Sequence, residues 1–386
     1  MKIGIYGAGQ LAQMMAEAAL KLGFSVCFFV DPEEDTRCVT HLGPIFPVTP
    51  SEPTQALKAA GHVDLITLER EQVNLQTLKS WERQVTIFPS AEAIATTQNR
   101  IKEKRMLDDL ALPTAPWVST ETQVEIWNER VGFPAVLKHP TQGYDGKSQW
   151  RVSSAAEVTQ ITARLEQALM LEAFVPFDFE VSIISARSRE GEFMFYPPSA
   201  NRHIEGILLN SIAPTPLLSD SLTDQLCHIA RTIMEHLDYT GVMAIECFVT
   251  GDQILVNEIA PRVHNSGHWT MHHQVCSQFE QHMRAIAGLP LRPFESKFSH
   301  GLVNLLGPFD APPNDPGSGS ELIWYGKTSK PRRKLGHIVQ CQNTETDLIA
   351  EQEALINQLY FCNPKSPFYK PLPGGHVVDE RLTQTL

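Results

Sequence analysis

The chain has 386 residues, 42% of them hydrophobic and 20% charged, which is too much for one ordinary core and suggests about two to four domains. Its net charge of −12 argues against a general nucleic-acid surface, although an anionic ligand needs only a few converging cations. The seven cysteines are scattered with no C-x-x-C pair, so inert thiols in a reducing compartment are expected, not a disulfide framework or a metal site.

No apolar run approaches the roughly 20 residues of a membrane span. The first residues, MKIGIYGAGQ, already read as strand and turn, so no signal peptide and a cytoplasmic protein are expected. Residues 2–6 are a short apolar strand, and 10–22 carry apolar positions at helical spacing (Leu11, Met14, Met15, Ala18, Ala19, Leu22). Gly23 stops that helix, and further strands are expected at 25–30, 65–68 and 85–88. Strands alternating with helices imply a parallel sheet, so residues 1–95 form a small α/β domain.

Residues 91–110 read as one charged helix, closed by the Pro113 and Pro116 segment. A strand at 134–138 ends in Lys138. A glycine-rich loop, a helix at 155–169 and a strand at 170–175 complete an α+β subdomain over 96–180. A larger α+β segment spans 181–305, with strands at 181–186, 242–249 and 253–259 and a long helix at 219–237. The loop-rich stretch from Pro308 to Gly319 opens a last module, 306–386.

The opening GIYGAGQLAQMM, with Asp31 after the second strand, fits the dinucleotide fingerprint, so an NAD or FAD oxidoreductase is the rival from another class. The plain alternative is a turn that packs a helix closely on a strand. What separates them lies downstream.

Activating an acid with ATP needs cations on the triphosphate, carboxylates for Mg²⁺ and a closure that excludes water. Lys138 at a strand end could reach a phosphate as a point charge, but alone it reads as a solvated lysine. The loop Gly143-Tyr144-Asp145-Gly146-Lys147, running on to Gln149, could lay backbone N–H groups against phosphate, with a plain hairpin turn as the alternative. Glu246 and Glu258 sit on apolar strands joined by Thr250-Gly251-Asp252, a tight turn. Side by side they would repel unless a cation sat between them, and Mg²⁺ typically takes one or two carboxylates plus phosphates. The polar run from Arg262 through His264, Asn265 and His268 follows at once, and such loops carry chemistry beside a metal.

At this point the chain resembles the N5-carboxyaminoimidazole ribonucleotide synthase family of ATP-grasp ligases. The resemblance is carried by NRIKEK near 99–104, Lys138, GYDGKSQ at 143–149, LEAFVPFDFEVS at 171–182, the Glu246 and Asn257-Glu258 pair, APRVHNSGHWT at 260–270 and SQFEQHMRAIAGLPL at 277–291. It implies an ATP-grasp fold behind an N-terminal Rossmann-like domain, an α/β and α+β multidomain architecture.

It further implies that Arg100 and Lys138 contact ATP phosphates, with Gly143, Asp145, Gly146 and Gln149 in the flap over them. Glu172 and the backbone of Ala173, Phe174 and Val175 would line the adenine pocket, Glu180 would hold the ribose, and Asn257 would sit beside the magnesium ligands Glu246 and Glu258. Arg262, His264, Asn265 and Lys147 would serve bicarbonate activation. Tyr144, Lys147, His268, Lys327, Arg333 and Glu69 would hold 5-aminoimidazole ribonucleotide. A homodimer with no nucleic-acid or membrane partner is implied as well.

A related glycinamide ribonucleotide transformylase would carry Asp-Thr-Gly in place of the Asn-Ser-Gly of residues 265–267. The chain departs from the family pattern at Ala8, at Ala12-Gln13, over residues 67–72, and at Phe179, Ala200 and Arg332.

Overall fold

The computed structural model describes residues 1–142, 148–165, 167–314, 316–317, 319–361, 363 and 366–368. Five short strands, β1 (Lys2–Tyr6), β2 (Ser25–Val30), β3 (Ile45–Pro47), β4 (Leu65–Leu68) and β5 (Thr86–Phe88), pair in the order β3-β2-β1-β4-β5. All of these pairings are parallel. The inner strands read as unbroken apolar runs because both faces are covered. The expected helix at 10–22 forms as Gln10–Lys21 and buries Leu11, Met14, Met15, Ala18 and Ala19.

The single helix expected over 91–110 is two helices, Ala91–Thr97 and Arg100–Asp109. Asn99 breaks it: its side chain accepts hydrogen bonds from the N–H groups of Ile101 and Lys102. Such a cap satisfies donors that a continuous helix would satisfy internally. The restart turns Arg100, Glu103 and Lys104 toward the middle of the molecule.

A small antiparallel sheet follows, β6 (Trp117–Ser119), β7 (Ala135–Lys138), β8 (Gln149–Val152) and β9 (Met170–Ala173), in the order β6-β9-β7-β8. Its core is Val118, Trp127, Leu137, Val152, Val158 and Leu171.

The third sheet has nine strands. They are β10 (Phe179–Arg187), β11 (Phe193–Phe195), β12 (Ser199–Ile204), β13 (Ile207–Ala213), β14 (Gly241–Thr250), β15 (Gln253–Ala260), β16 (Ser299–Leu306), β17 (Ser320–Trp324) and β18 (Lys334–Gln342). The order is β15-β14-β10-β12-β13-β16-β18-β17, with β11 on β10. The last three strands, from beyond residue 298, thus extend the sheet that carries Glu246 and Glu258.

The long helix Asp220–His236, capped by Ser219, covers one face through Leu226, Ile229, Ile233 and Met234. Helix Gln278–Ala287 packs the opposite face against helix Gln10–Lys21 and ties the first sheet to the third through Met283 and Ile286. No described helix is long and apolar enough to cross a membrane.

Candidate active site

The hairpin β14–β15 positions the carboxylates. With a two-residue turn at 251–252, a regular ladder would set Glu246 opposite Asn257 and turn Glu258 to the other face. The observed pairing runs regularly from Thr250 to Cys247, then slips, so that Glu246 faces Glu258 and Asn257 is the extra residue of a bulge. A one-residue slip flips side chains across a sheet, and here it brings both glutamates to one face. Cross-strand partners hold their Cβ atoms roughly 4.5–5.5 Å apart.

Both side chains are largely enclosed, 18% and 34% exposed. Burial pushes the Glu246 carboxyl up to about 7; His203 opposes the rise, and Glu258 and Glu180 add to it. A divalent cation between the two carboxylates would reverse that cost, so the donor set fits magnesium.

Cations converge from the other side. Arg100, at the start of its helix, lies 3.3 Å from Glu258. Lys138 and Lys104 both pair with the buried Glu172, at 2.5 and 2.7 Å. Burial alone would raise the Glu172 pKa, but the two lysines hold it at about 2. Lys138 is therefore a buried, paired residue rather than a solvated strand end.

Glu103, also buried, accepts from the Ile259 N–H at 3.3 Å. Burial lifts its carboxyl to about 8, with Lys104 opposing and Glu258 reinforcing. A cavity of about 20 Å³ between Glu71, Arg100, Glu103, Gln142 and Glu258 marks where these elements meet.

The polar run after β15 is a short 3₁₀ helix, Asn265–Met271, with His264 as its cap. His264 Nδ1 lies 3.6 Å from Glu246 and 2.9 Å from Ser266 Oγ. Burial first, then Arg262, holds this imidazole far below its ordinary pKa, hence neutral. Asn265 exchanges two hydrogen bonds with Asn304 of β16, at 3.0 and 2.8 Å. Arg262 forms a bidentate pair with Glu71, in the loop after β4, and Glu71 is held at about 2 although burial opposes it.

The whole run is clamped by Gln278. It accepts from the His264 N–H at 2.9 Å and donates to the His264 carbonyl at 2.6 Å, with His268 Nδ1 at 3.0 Å. A Cβ on Gly267 would come within 2.7 Å of the Gln278 amide. Gly267→Ala is therefore expected to lower unfolding stability by about 1–3 kcal/mol through overpacking, visible as a lower urea midpoint with an unchanged slope. An unaltered midpoint would mean that the clamp yields at no cost.

His268, expected to touch substrate, is fully buried on the inner side of this run, its ring tilted against His337 with centroids 4.8 Å apart. Glu180 is bonded to His203 at 2.6 Å. In the adenine-side segment, the Ala173 N–H donates to Pro116 O at 2.8 Å. Phe174 is 40% exposed beneath the Arg151 guanidinium, and Val175 is half-buried. Gln149 is exposed at the start of β8, and Gly143, Tyr144, Asp145, Gly146 and Lys147 lie outside the described residues.

The glycine turn that invited a dinucleotide reading is already filled. Glu69, from the end of β4, accepts from the N–H groups of Gly9 at 2.6 Å and Leu11 at 3.2 Å, and Glu34 accepts from Ala8 at 3.0 Å. A Cβ at Gly7 would fall 2.5 Å from a Glu69 oxygen, and Gly7 also adopts a φ of +130°. The donors that would cradle a pyrophosphate serve internal carboxylates instead.

The basic stretch folds back onto this turn. Lys327 donates to Gln10, and Arg333 approaches Asp35 at 3.9 Å and the Thr328 carbonyl at 3.2 Å. Arg332, where the family pattern has glycine, takes a φ of +63° and pairs with Glu205.

Glu103, Lys104, His203 and Gln278 are the site residues to which sequence reasoning assigned no role. Glu103, Lys104 and Gln278 lie inside segments that carried the family resemblance. Nothing in the local sequence marked His203.

An antiparallel sheet facing a smaller one, with paired carboxylates on the first and a lysine on the second, defines an ATP-grasp enzyme. Residues 105–279 match the ATP-grasp domain family, residues 1–98 the ribonucleotide synthetase preATP-grasp domain, and residues 301–351 the phosphoribosylaminoimidazole carboxylase C-terminal domain. The chain is 39% identical to the N5-carboxyaminoimidazole ribonucleotide synthase of Pseudomonas aeruginosa, with 92% of this chain and 99% of that protein covered. The crystal structure of the Thermus thermophilus synthetase superposes with a TM-score of 0.84 at 38% identity, covering 92% of this chain and 98% of that one. The Aspergillus clavatus enzyme, solved with ADP and 5-aminoimidazole ribonucleotide, gives 0.80 at 26% identity, covering 93% and 98%. The chain belongs to the N5-carboxyaminoimidazole ribonucleotide synthase family.

Proposed function

We propose that this chain uses ATP and bicarbonate to carboxylate 5-aminoimidazole ribonucleotide, yielding N5-carboxyaminoimidazole ribonucleotide, ADP and phosphate in purine biosynthesis. The observation that carries this reading is the cross-strand pair Glu246 and Glu258, set between Arg100 and the His264–Asn265 run. Glu246 and Glu258 would hold magnesium, with Asn257 beside them, and that ion would neutralise charge on the transferring phosphate.

Arg100 and Lys138 take the ATP phosphates as point or forked charges, and Glu172 with the Ala173–Val175 backbone borders the adenine. Glu180, fixed by His203, takes the ribose hydroxyls. Gly143, Asp145, Gly146 and Gln149 belong to the flap whose closure keeps water from carboxyphosphate. Arg262, His264, Asn265 and Lys147 orient bicarbonate and the carboxyphosphate made from it. His264, held neutral, can accept a proton as the exocyclic amine attacks.

Lys327 and Arg333 supply positive charge for the phosphate of the ribonucleotide, and Tyr144 and Lys147 complete its pocket, with buried His268 supporting the run from within. Glu69 acts through the glycine turn that it braces. The working form is a cytoplasmic homodimer with small-molecule partners only. Neither a glycinamide ribonucleotide transformylase nor an NAD or FAD oxidoreductase is favoured; Asn265-Ser266-Gly267 departs from the first and the filled glycine turn from the second.

ADP release at saturating bicarbonate is expected to rise when 5-aminoimidazole ribonucleotide is added. A rate indifferent to that nucleotide would reject the assignment even with the fold intact.

A further inference from the structure

On the far side of the 3₁₀ helix from His264, three segments distant in sequence bring nitrogen and sulfur donors together. His300 of β16 and Cys341 of β18 are direct partners in the antiparallel ladder, which fixes their side chains on one face at close range. His272 follows the 3₁₀ helix immediately. One donor atom from each of His272, His300 and Cys341 lies within 4.8 Å of the others.

The two histidines are buried, 3% and 0% exposed. Ser296 Oγ meets His300 Nε2 at 2.7 Å, which leaves Nδ1 of the same ring buried with no hydrogen-bond partner among the described residues. Nδ1 of His272 is likewise buried and unpartnered there. Orphaned ring nitrogens are costly in a protein interior unless something binds them. Among the described residues Cys341 Sγ makes one weak hydrogen bond, to Gln274 Oε1 at 3.6 Å.

A cavity of about 160 Å³ opens beside the cluster, lined by His272, His273, Gln274, Phe298, Gly319 and Cys341. It has ample room for an ion and its water, since one water needs only about 10–15 Å³. A carboxylate supplies further negative charge: Glu321 lies 3.9 Å from His272 Nε2 and 2.5 Å from His273 Nδ1.

We infer that His272, His300 and Cys341 form a binding site for one zinc ion, with solvent from the adjoining cavity in the fourth position. Two imidazoles and a thiolate are a borderline-soft set that favours Zn²⁺ over the hard Mg²⁺ of the catalytic pair. Ligands at 2.0–2.3 Å on a tetrahedral ion stand about 3.3–3.8 Å apart, so the donors need only a contraction of about 1 Å, which half-buried Cys341 can supply by rotating. Bound there, the ion would fasten the end of the His264–Met271 run to β16 and β18, strands of the C-terminal part of the sheet.

Cobalt(II) is the probe, because a thiolate ligand gives it an intense charge-transfer band in the near ultraviolet that oxygen ligands do not. The full chain, stripped by chelator and reduced, is titrated with Co²⁺ and then with Zn²⁺. A thiolate band that saturates at one cobalt per chain and is bleached by one equivalent of zinc is expected. Cys341→Ser should remove the band, and His300→Gln should weaken binding by at least about tenfold, both with unchanged far-ultraviolet circular dichroism. Cobalt at Glu246 and Glu258 would give no such band. Absence of the band from the unaltered protein, or its survival in Cys341→Ser, overturns the site.

Discussion

Glu258→Gln is expected to reduce nucleotide-stimulated ADP formation by at least about a hundredfold. The substitution keeps the shape of the side chain and its place opposite Glu246. It removes half of the paired negative charge that would hold magnesium, and it removes the charge that Arg100 meets at 3.3 Å. If the loss arises at the metal, raising the magnesium concentration should restore part of the rate, and circular dichroism should not change. Full activity in the variant would take Glu258 out of the metal site, and loss without any magnesium dependence would assign it to holding Arg100.

Glu172→Gln should give the largest loss of stability, about 3–5 kcal/mol, because it leaves Lys104 and Lys138 buried without their shared counter-charge. The effect depends on pH with a definite sign. The folded carboxyl titrates near 2, below its ordinary 4.5, so its contribution is fully present above about 4.5 and is lost as pH falls toward 2. Denaturation midpoints of the two proteins should therefore differ most near neutrality and converge below about pH 4.5. A gap that stays constant across this range would mean that packing, and not charge, makes Glu172 important.

The α/β start, the paired strands around Thr250-Gly251-Asp252 and the polar run after them were legible because strand periodicity and turn chemistry are local. What was not legible is mostly relational. The expected side-by-side glutamates form, yet a regular hairpin of that sequence would have sent them to opposite faces; a bulge at Asn257 unites them.

Lys138 looked like a solvated strand end because its partner, Glu172, comes from a neighbouring strand distant in sequence, where Lys104 of helix Arg100–Asp109 shares the same carboxylate. Gln278 was invisible as a clamp, since a buried glutamine serving another loop has no signature in its own neighbourhood. The break at Asn99 was readable in principle, for asparagine is a favoured cap, but the charge pattern ran through it.

Glu69 in the glycine turn carries a consequence for how this fold could change its ligand. The turn has the shape and the donors of a cofactor cradle, and the carboxylate filling it arrives from a strand 60 positions along the chain. Ligand choice in the first sheet is thus gated by remote side chains, Glu69 foremost and Glu34 beside it, that occupy the donors from within the chain. Losing Glu69 would free the N–H groups of Gly9 and Leu11 without touching the glycines, so a lineage could open or close this pocket while its fingerprint stayed unchanged.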